Sequence, residues 1–213
     1  MNVEENLRAV RERIDRAGRN PDDVTIVAVT KGFGPDVCRA ALSAGLTVLG
    51  ENRVHEALTK MAEVEGAEWH LIGHLQTNKA RVAAGRFQLI QSVDSLRLAE
   101  HIARIEPSQP VLVEVNISRE PQKSGIAPKE TVARAIEIAK QLDLRGLMAM
   151  GPSQGDPTQA FEELRRLRDD AQEQIGRALP VLSMGMSGDF EAALRAGSTM
   201  LRLGQVLFGP RPE

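Results

Sequence analysis

The sequence predicts a single α/β domain over residues 1–213, a (β/α)8 barrel of TIM type with an extra N-terminal helix. Three observations predict it. Short aliphatic strands alternate with amphipathic helices about eight times, a pattern that right-handed parallel crossovers join into one sheet. The strands read as near-continuous apolar runs, Val24 to Thr30 most clearly, as strands buried on both faces do. A length of 213 residues, with no Pro/Gly/Ser linker long enough to divide it, fits the roughly 200–400 residues of one barrel. An open doubly wound sheet is the runner-up. It is disfavoured because no Gly-x-Gly-x-x-Gly follows the first strand and because eight units suit closure.

Met1 to Arg19 is patterned as an amphipathic helix and breaks at Gly18 to Pro21. The strand that follows ends in Lys31-Gly32. Pro35 and Asp36 then open a helix with the apolar stripe Val37, Ala40, Ala41 and Ala44. Gly45 ends it. Leu46 to Leu49 is a short strand, and Gly50-Glu51-Asn52 leads into a helix with Val54, Ala57, Leu58 and Met61 on one face. Trp69 to Ile72 reads as a strand, Thr77 to Ala84 as a short helix, Phe87 to Gln91 as a strand, and Asp94 to Ile105 as a helix capped by Asp94. Next come the strand Val111 to Asn116, a helix from about Pro128, the strand Leu144 to Met150 and a charged helix from about Pro157 to Ile175. Val181 to Met184 is a strand, Ser187 caps the helix bearing Phe190, Ala193 and Leu194, and Thr199 to Leu203 is the last strand. The eighth unit lacks its helix, and the N-terminal helix is available to cover that gap.

The composition is that of an ordinary globular chain, 42% hydrophobic and 26% charged, with net charge -2. Nothing in it points to nucleic acid or an anionic membrane surface. The Arg165, Arg166, Arg168 group reads as a solvated helix face. No apolar run approaches the roughly 20 residues of a membrane span, and the charged N-terminus does not read as a signal peptide. One cysteine, Cys38, excludes an internal disulfide and fits a reducing, cytoplasmic setting. A monomer is expected.

In such a barrel the chemistry gathers at the carboxyl ends of the strands. The residues there are Lys31, Asn52, His74, Asn78, Asn116, Met148, Met150, Ser183 to Ser187, and Arg202 to Gln205. Ser183 to Asp189 places two glycines and a hydroxyl before a helix, and Gly204 follows the last strand. Together they predict an anion pocket in the loops after the seventh and eighth strands. The histidines lack metal-ligand spacing, no Gly-x-Ser-x-Gly elbow occurs, and no pair of carboxylates stands out. Glu51 and Glu114 read as salt-bridged scaffold, and Met148, Met150, Met184 and Met186 as core filler. A strand-end lysine beside a phosphate pocket suits a phosphorylated aldehyde held as a Schiff base, a description that pyridoxal 5'-phosphate meets.

Over nearly its whole length the chain resembles the pyridoxal-phosphate homeostasis protein family, which is related to the alanine racemase N-terminal barrel domain. The resemblance is carried by Ala28 to Lys31, Gly50 to Asn52, Trp69 to Lys79, Val115 to Ser118 with Lys123 to Gly125, Gly146 to Met148, Ser183 to Asp189 and Gly197 to Gly204. It implies that Lys31 holds pyridoxal 5'-phosphate as a Schiff base. Ser187, Gly188 and Gly204 hold the phosphate, Arg202 faces the pyridine nitrogen, and Asn52 lies near the ring hydroxyl or the Schiff base. Met184 and Gln205 are further cofactor contacts, and Lys123 lies on a loop near the mouth. Three positions depart from the commoner form: Gly32 where threonine often follows the lysine, Arg53 where tyrosine often stands, and Gln205 where threonine often stands. The last leaves a backbone N–H in place of a hydroxyl.

Two function classes compete, with a third behind them. The resemblance implies a carrier that buffers or delivers the cofactor, with apo pyridoxal-phosphate enzymes as its partners. The alternative is a pyridoxal-phosphate enzyme such as an amino-acid racemase. An arginine at the ring nitrogen keeps its own proton, and the chain has 0 Tyr to act as a base opposite Lys31; both weigh toward binding rather than catalysis. A lyase or isomerase acting on a sugar phosphate through Lys31 is the third class.

Overall fold

A computed structural model describes residues 2–210 of the chain. Eight parallel strands, β1 (Thr25–Val29), β2 (Val48–Glu51), β3 (Glu68–Leu71), β4 (Leu89–Val93), β5 (Pro110–Val115), β6 (Asp143–Ala149), β7 (Val181–Ser183) and β8 (Met200–Leu203), form a closed barrel in sequence order. Closure is direct: Thr25 to Ala28 of β1 run alongside Met200 to Leu203 of β8.

The helices follow the strands as expected. They are α1 (Val3–Arg16), α2 (Pro35–Ser43), α3 (Val54–Met61), α4 (Ala80–Ala83), α5 (Leu96–Ala103), α6 (Pro128–Ala139), α7 (Thr158–Ile175), α8 (Phe190–Arg195) and the single turn α9 (Gln205–Phe208). Both strand faces are buried, which is why the strands read as unbroken apolar runs. The outward face, with Ile26, Ala28, Leu49, Leu71, Ile90, Val113, Leu147 and Leu201, packs under the helices in the main core. The inward face holds a separate apolar plug of Val27, Leu89, Leu112, Met148 and Met200. Side chains alternate along a strand, so the residues two further on, Gln91, Glu114 and Arg202, point inward as well, nearer the carboxyl ends. The polar groups of the site therefore stand on an apolar floor.

The N-terminal helix fills the expected gap. Val3, Leu7, Val10 and Ile14 of α1 are buried, and Asn6 Nδ2 donates to Leu207 O at 2.8 Å, pinning α1 to α9. Arg13 lies 4.2 Å over the Phe190 ring and its Nε donates to Glu191 at 2.7 Å. Two caps differ from the sequence reading. Ser95, not Asp94, caps α5, accepting from Leu98 N at 3.3 Å, which leaves the Asp94 carboxylate at the strand end to meet His74. Ser187 does not cap α8; the six-residue helix starts at Phe190, and the hydroxyl instead accepts from Val206 N at 3.3 Å in the first turn of α9.

Candidate functional site

The carboxyl ends of the strands open into a cavity of about 980 Å³. Lys31, Asn52, Ser187, Gly188, Arg202, Gly204 and Gln205 all line it. Met184 does not: its side chain is fully buried in the main core, and the methionine on the cavity wall of that loop is Met186.

Lys31 sits just past β1, and both of its neighbours are clamped from α3. The Lys60 ammonium donates to Thr30 O at 2.9 Å, to Glu51 Oε1 at 2.7 Å and to Glu56 Oε1 at 2.8 Å. Thr30 Oγ1 donates to Glu51 Oε1 at 2.6 Å, and Gly32 N donates to Glu56 Oε1 at 2.7 Å. Gly32 takes a φ of 76°, a left-handed conformation that glycine adopts without a Cβ clash, and this turn presents its N–H to Glu56. Burial raises the Glu51 pKa against the pull of Lys60 and Thr30; in Lys60, burial is outweighed by the two carboxylates and the pKa rises. Glu51 is thus the salt-bridged scaffold that its sequence context suggests. Lys60 was not legible as part of the site, and its only signal is the spacing Glu56–Lys60 along one helix face.

Arg202 is buried and forms no ion pair among the described residues. Its Nη2 donates to Ala149 O at 2.9 Å and its Nη1 to Ser183 Oγ at 2.7 Å. Ser183 Oγ in turn donates to Gln91 Oε1 at 2.7 Å, and Gln91 Nε2 donates to His70 Nδ1 at 3.0 Å. Each donor in the chain fixes the next acceptor, so His70 carries its proton on Nε2. Burial lowers the Arg202 pKa to about 10, which still leaves it a cation at neutral pH. Burial also lowers His70 to about 4, so this imidazole stays neutral. The unfolded chain binds a proton at this residue between pH about 6.5 and about 4 while the folded chain does not, so the His70 contribution to stability is lost as pH falls through that window. Relative to His70→Gln, the wild type should lose roughly 3 kcal/mol more across it, read by urea denaturation at several pH values. Parallel profiles would place the proton in the folded state.

The loops after β7 and β8 form a cavity wall of backbone groups. The backbone N–H groups of Ser187 and Gly188 make no hydrogen bond among the described residues, and Gln205, first in α9, has no intrahelical acceptor for its own. Gly204 packs closely under β1: a Cβ there would lie 3.3 Å from Val29 O. Met186 N donates to Asp189 Oδ1 at 2.6 Å, which turns this loop so that Ser187 and Gly188 face the cavity.

The opposite wall comes from β3, β5 and β6. Gly73 is needed because a Cβ there would strike Asn52 O at 2.3 Å, and this close approach seats Asn52 at the rim. His74 Nδ1 lies 3.0 Å from Asp94 Oδ2. Glu114, read as salt-bridged from the sequence, has no such bridge among the described residues: Oε1 accepts from Ser124 Oγ at 2.8 Å and Oε2 is buried without a hydrogen-bond partner among them. Lys123 is held off the cavity by Glu120 Oε1 and Gly151 O, each at 2.7 Å.

The alanine racemase N-terminal domain family matches residues 2–212. A pyridoxal phosphate homeostasis protein of Aquifex aeolicus is 40% identical, with 99% of each chain covered. The chain belongs to the pyridoxal phosphate homeostasis protein family. PipY of Synechococcus elongatus PCC7942, solved with PLP bound, superposes with a TM-score of 0.85 at 34% identity, covering 97% of this chain and 100% of that one. Alanine racemase from Corynebacterium glutamicum shares the barrel fold, with a TM-score of 0.81 at 16% identity, and this chain spans 62% of it.

Proposed function

We propose that the chain is one cofactor-binding domain that holds pyridoxal 5'-phosphate through Lys31 and buffers or delivers it, as a cytosolic monomer whose recipients are apo pyridoxal-phosphate enzymes. The observation that carries this reading is one cavity wall combining a strand-end lysine, a buried arginine without a carboxylate partner, and the unbonded N–H groups of Ser187 and Gly188. Those donors fit a phosphate, and the space over Gly188, where a Cβ would meet nothing within 4 Å, leaves room for it. The PLP-bound structure of PipY supports the same assignment. No helix among the described residues is long and apolar enough to cross a membrane.

When bound, the cofactor supplies an aldehyde that condenses with an amine and a phosphate that carries charge. Lys31 offers the amine. Ser187, Gly188 and Gln205 donate backbone N–H groups to the phosphate, with the Ser187 hydroxyl beside them. Arg202, held by Ser183 and Ala149, donates to the ring nitrogen and keeps its proton, so the ring stays a weak electron sink. Asn52 approaches the ring hydroxyl. With 0 Tyr in the chain, no tyrosine stands opposite Lys31 to exchange a proton on the second face, which favours carriage over racemisation.

Ser187→Ala should weaken pyridoxal phosphate roughly tenfold or more and leave unphosphorylated pyridoxal nearly unchanged, since the hydroxyl is a hydrogen-bond partner of a charged group only in the first case. Absorbance titration with both ligands checks it, and equal losses would remove the phosphate from this loop. For the carrier reading, loaded protein mixed with an apo pyridoxal-phosphate enzyme should restore that enzyme's activity, and incubation with alanine should give no racemisation above free cofactor. Robust turnover lost in Lys31→Ala would establish the enzyme alternative instead.

A further inference from the structure

Arg202, the buried cation of the cavity wall, is held by neutral acceptors alone among the described residues: Ser183 Oγ takes Nη1 at 2.7 Å and Ala149 O takes Nη2 at 2.9 Å. A backbone carbonyl can only accept. A hydroxyl is different, because its proton either points at the guanidinium and opposes it or points away and leaves the lone pairs to accept. Ser183 Oγ donates to Gln91 Oε1 at 2.7 Å, from β7 across the barrel interior to β4, and that bond uses its one proton. The Gln91 amide is oriented in turn. Its Nε2 donates to His70 Nδ1 at 3.0 Å and to Met200 Sδ at 3.2 Å. A thioether sulfur offers no proton, so an amide turned over would set Oε1 against the sulfur lone pairs and present an N–H to Ser183. Both Gln91 and Ser183 are fully buried, where a donor left without an acceptor is costly.

We propose that Gln91 and Ser183 are positioning residues that hold the Arg202 guanidinium against the cofactor's ring nitrogen without neutralising it. This rests on the reading of the cavity as the pyridoxal phosphate site. A carboxylate in place of the hydroxyl would fix the arginine as well, but it would also pair the charge. The hydroxyl fixes the arginine and leaves its charge to the ligand. Its direction is decided further along the chain of bonds, at Gln91, while His70 and Met200 keep the amide from turning. With an apolar side chain in place of Gln91, the Ser183 proton is free to turn toward Arg202, and the guanidinium keeps only Ala149 O as a fixed acceptor.

The test uses Ser183→Ala, which removes the acceptor, Gln91→Met, which removes what orients it at similar volume, and Ser183→Thr, which keeps the hydroxyl. Each protein is titrated by absorbance with pyridoxal 5'-phosphate and with its analogue carrying C–H in place of the ring nitrogen. The preference for pyridoxal phosphate over the analogue should be roughly tenfold greater in wild type than in Ser183→Ala or Gln91→Met, and Ser183→Thr should keep the wild-type ratio. Intrinsic differences between the two aldehydes cancel, because the same ratio is compared between proteins. A merely structural role would weaken both ligands together and leave the ratio unchanged. In NMR spectra of the cofactor-free protein, the Arg202 Nη protons should give separate signals in wild type and Ser183→Thr, where the guanidinium is held, and should merge in the other variants. An unchanged ligand ratio in both Ser183→Ala and Gln91→Met, or separate Nη signals that persist in both, overturns the positioning role. Equal binding of the two ligands by wild type removes Arg202 from the ring nitrogen and overturns it as well. If the Nη signals merge as expected but wild type takes up neither ligand, the cofactor reading fails and the hold of Gln91 and Ser183 on Arg202 stands.

Discussion

Exchange of Lys31 for alanine is expected to abolish covalent capture of pyridoxal phosphate while leaving the barrel folded. After incubation with the cofactor and borohydride, wild-type protein should carry a reduced adduct on the peptide containing Lys31, and the variant should carry none in the cavity. The fold survives because the conformation around residue 31 is imposed from outside it: Lys60 and Glu51 hold Thr30, and Glu56 holds Gly32. Removing a half-exposed side chain at a strand end opens no core cavity, so the melting temperature should stay within a few degrees of wild type. An undiminished adduct in the variant would move the covalent site to another lysine.

Lys60→Met carries the largest expected cost in stability. It leaves Glu51, fully buried, and Glu56 without their shared cation, and it strips the donor from Thr30 O. Breaking a buried ion pair from one side costs about 3–5 kcal/mol, which for a chain of this size lowers the melting temperature by roughly 6–20 °C. Adding Glu51→Gln to Lys60→Met should recover part of that loss, because the amide carries no charge to strand. Capture of the cofactor should also slow, since the turn that presents Lys31 is no longer fixed at both neighbours. Thermal melts of the single and double variants decide the matter; a single-variant loss below about 1 kcal/mol would show that the cluster is not desolvated.

How far the site could be read in advance depended on the kind of residue. Lys31, Arg202, Ser187 and Gly204 stand immediately after strands or in glycine-rich loops, where a barrel must expose chain to ligand, so position along the chain marked them. Lys60 lies in the middle of an amphipathic helix, where a lysine ordinarily faces water, and nothing local distinguishes it from one that does. Gln91 and His70 sit within strands, and only closure of the barrel turns them onto the same side as Ser183 and Arg202. The Ser187 hydroxyl and the Asp94 carboxylate were misread for one reason: each occupies a favourable capping position, but a neighbour in space, Val206 N or His74, competes for it.

The sequence by itself determined the barrel, because the period of burial, the order of strand and helix, and the turn residues are local properties repeated around the chain. It also marked Lys31 and the loop Ser183 to Asp189, since a charge or a glycine pair at a strand end has few local uses. Only the tertiary structure decided which polar groups are partnered. It gave Glu51 Oε1 a lysine from α3 and Arg202 a serine from β7, and among the described residues it left Glu51 Oε2 and Glu114 Oε2 with none. Partnership is set by distances of a few ångströms between strands far apart in the chain, and hydrogen bonds in a buried site are decided on that scale.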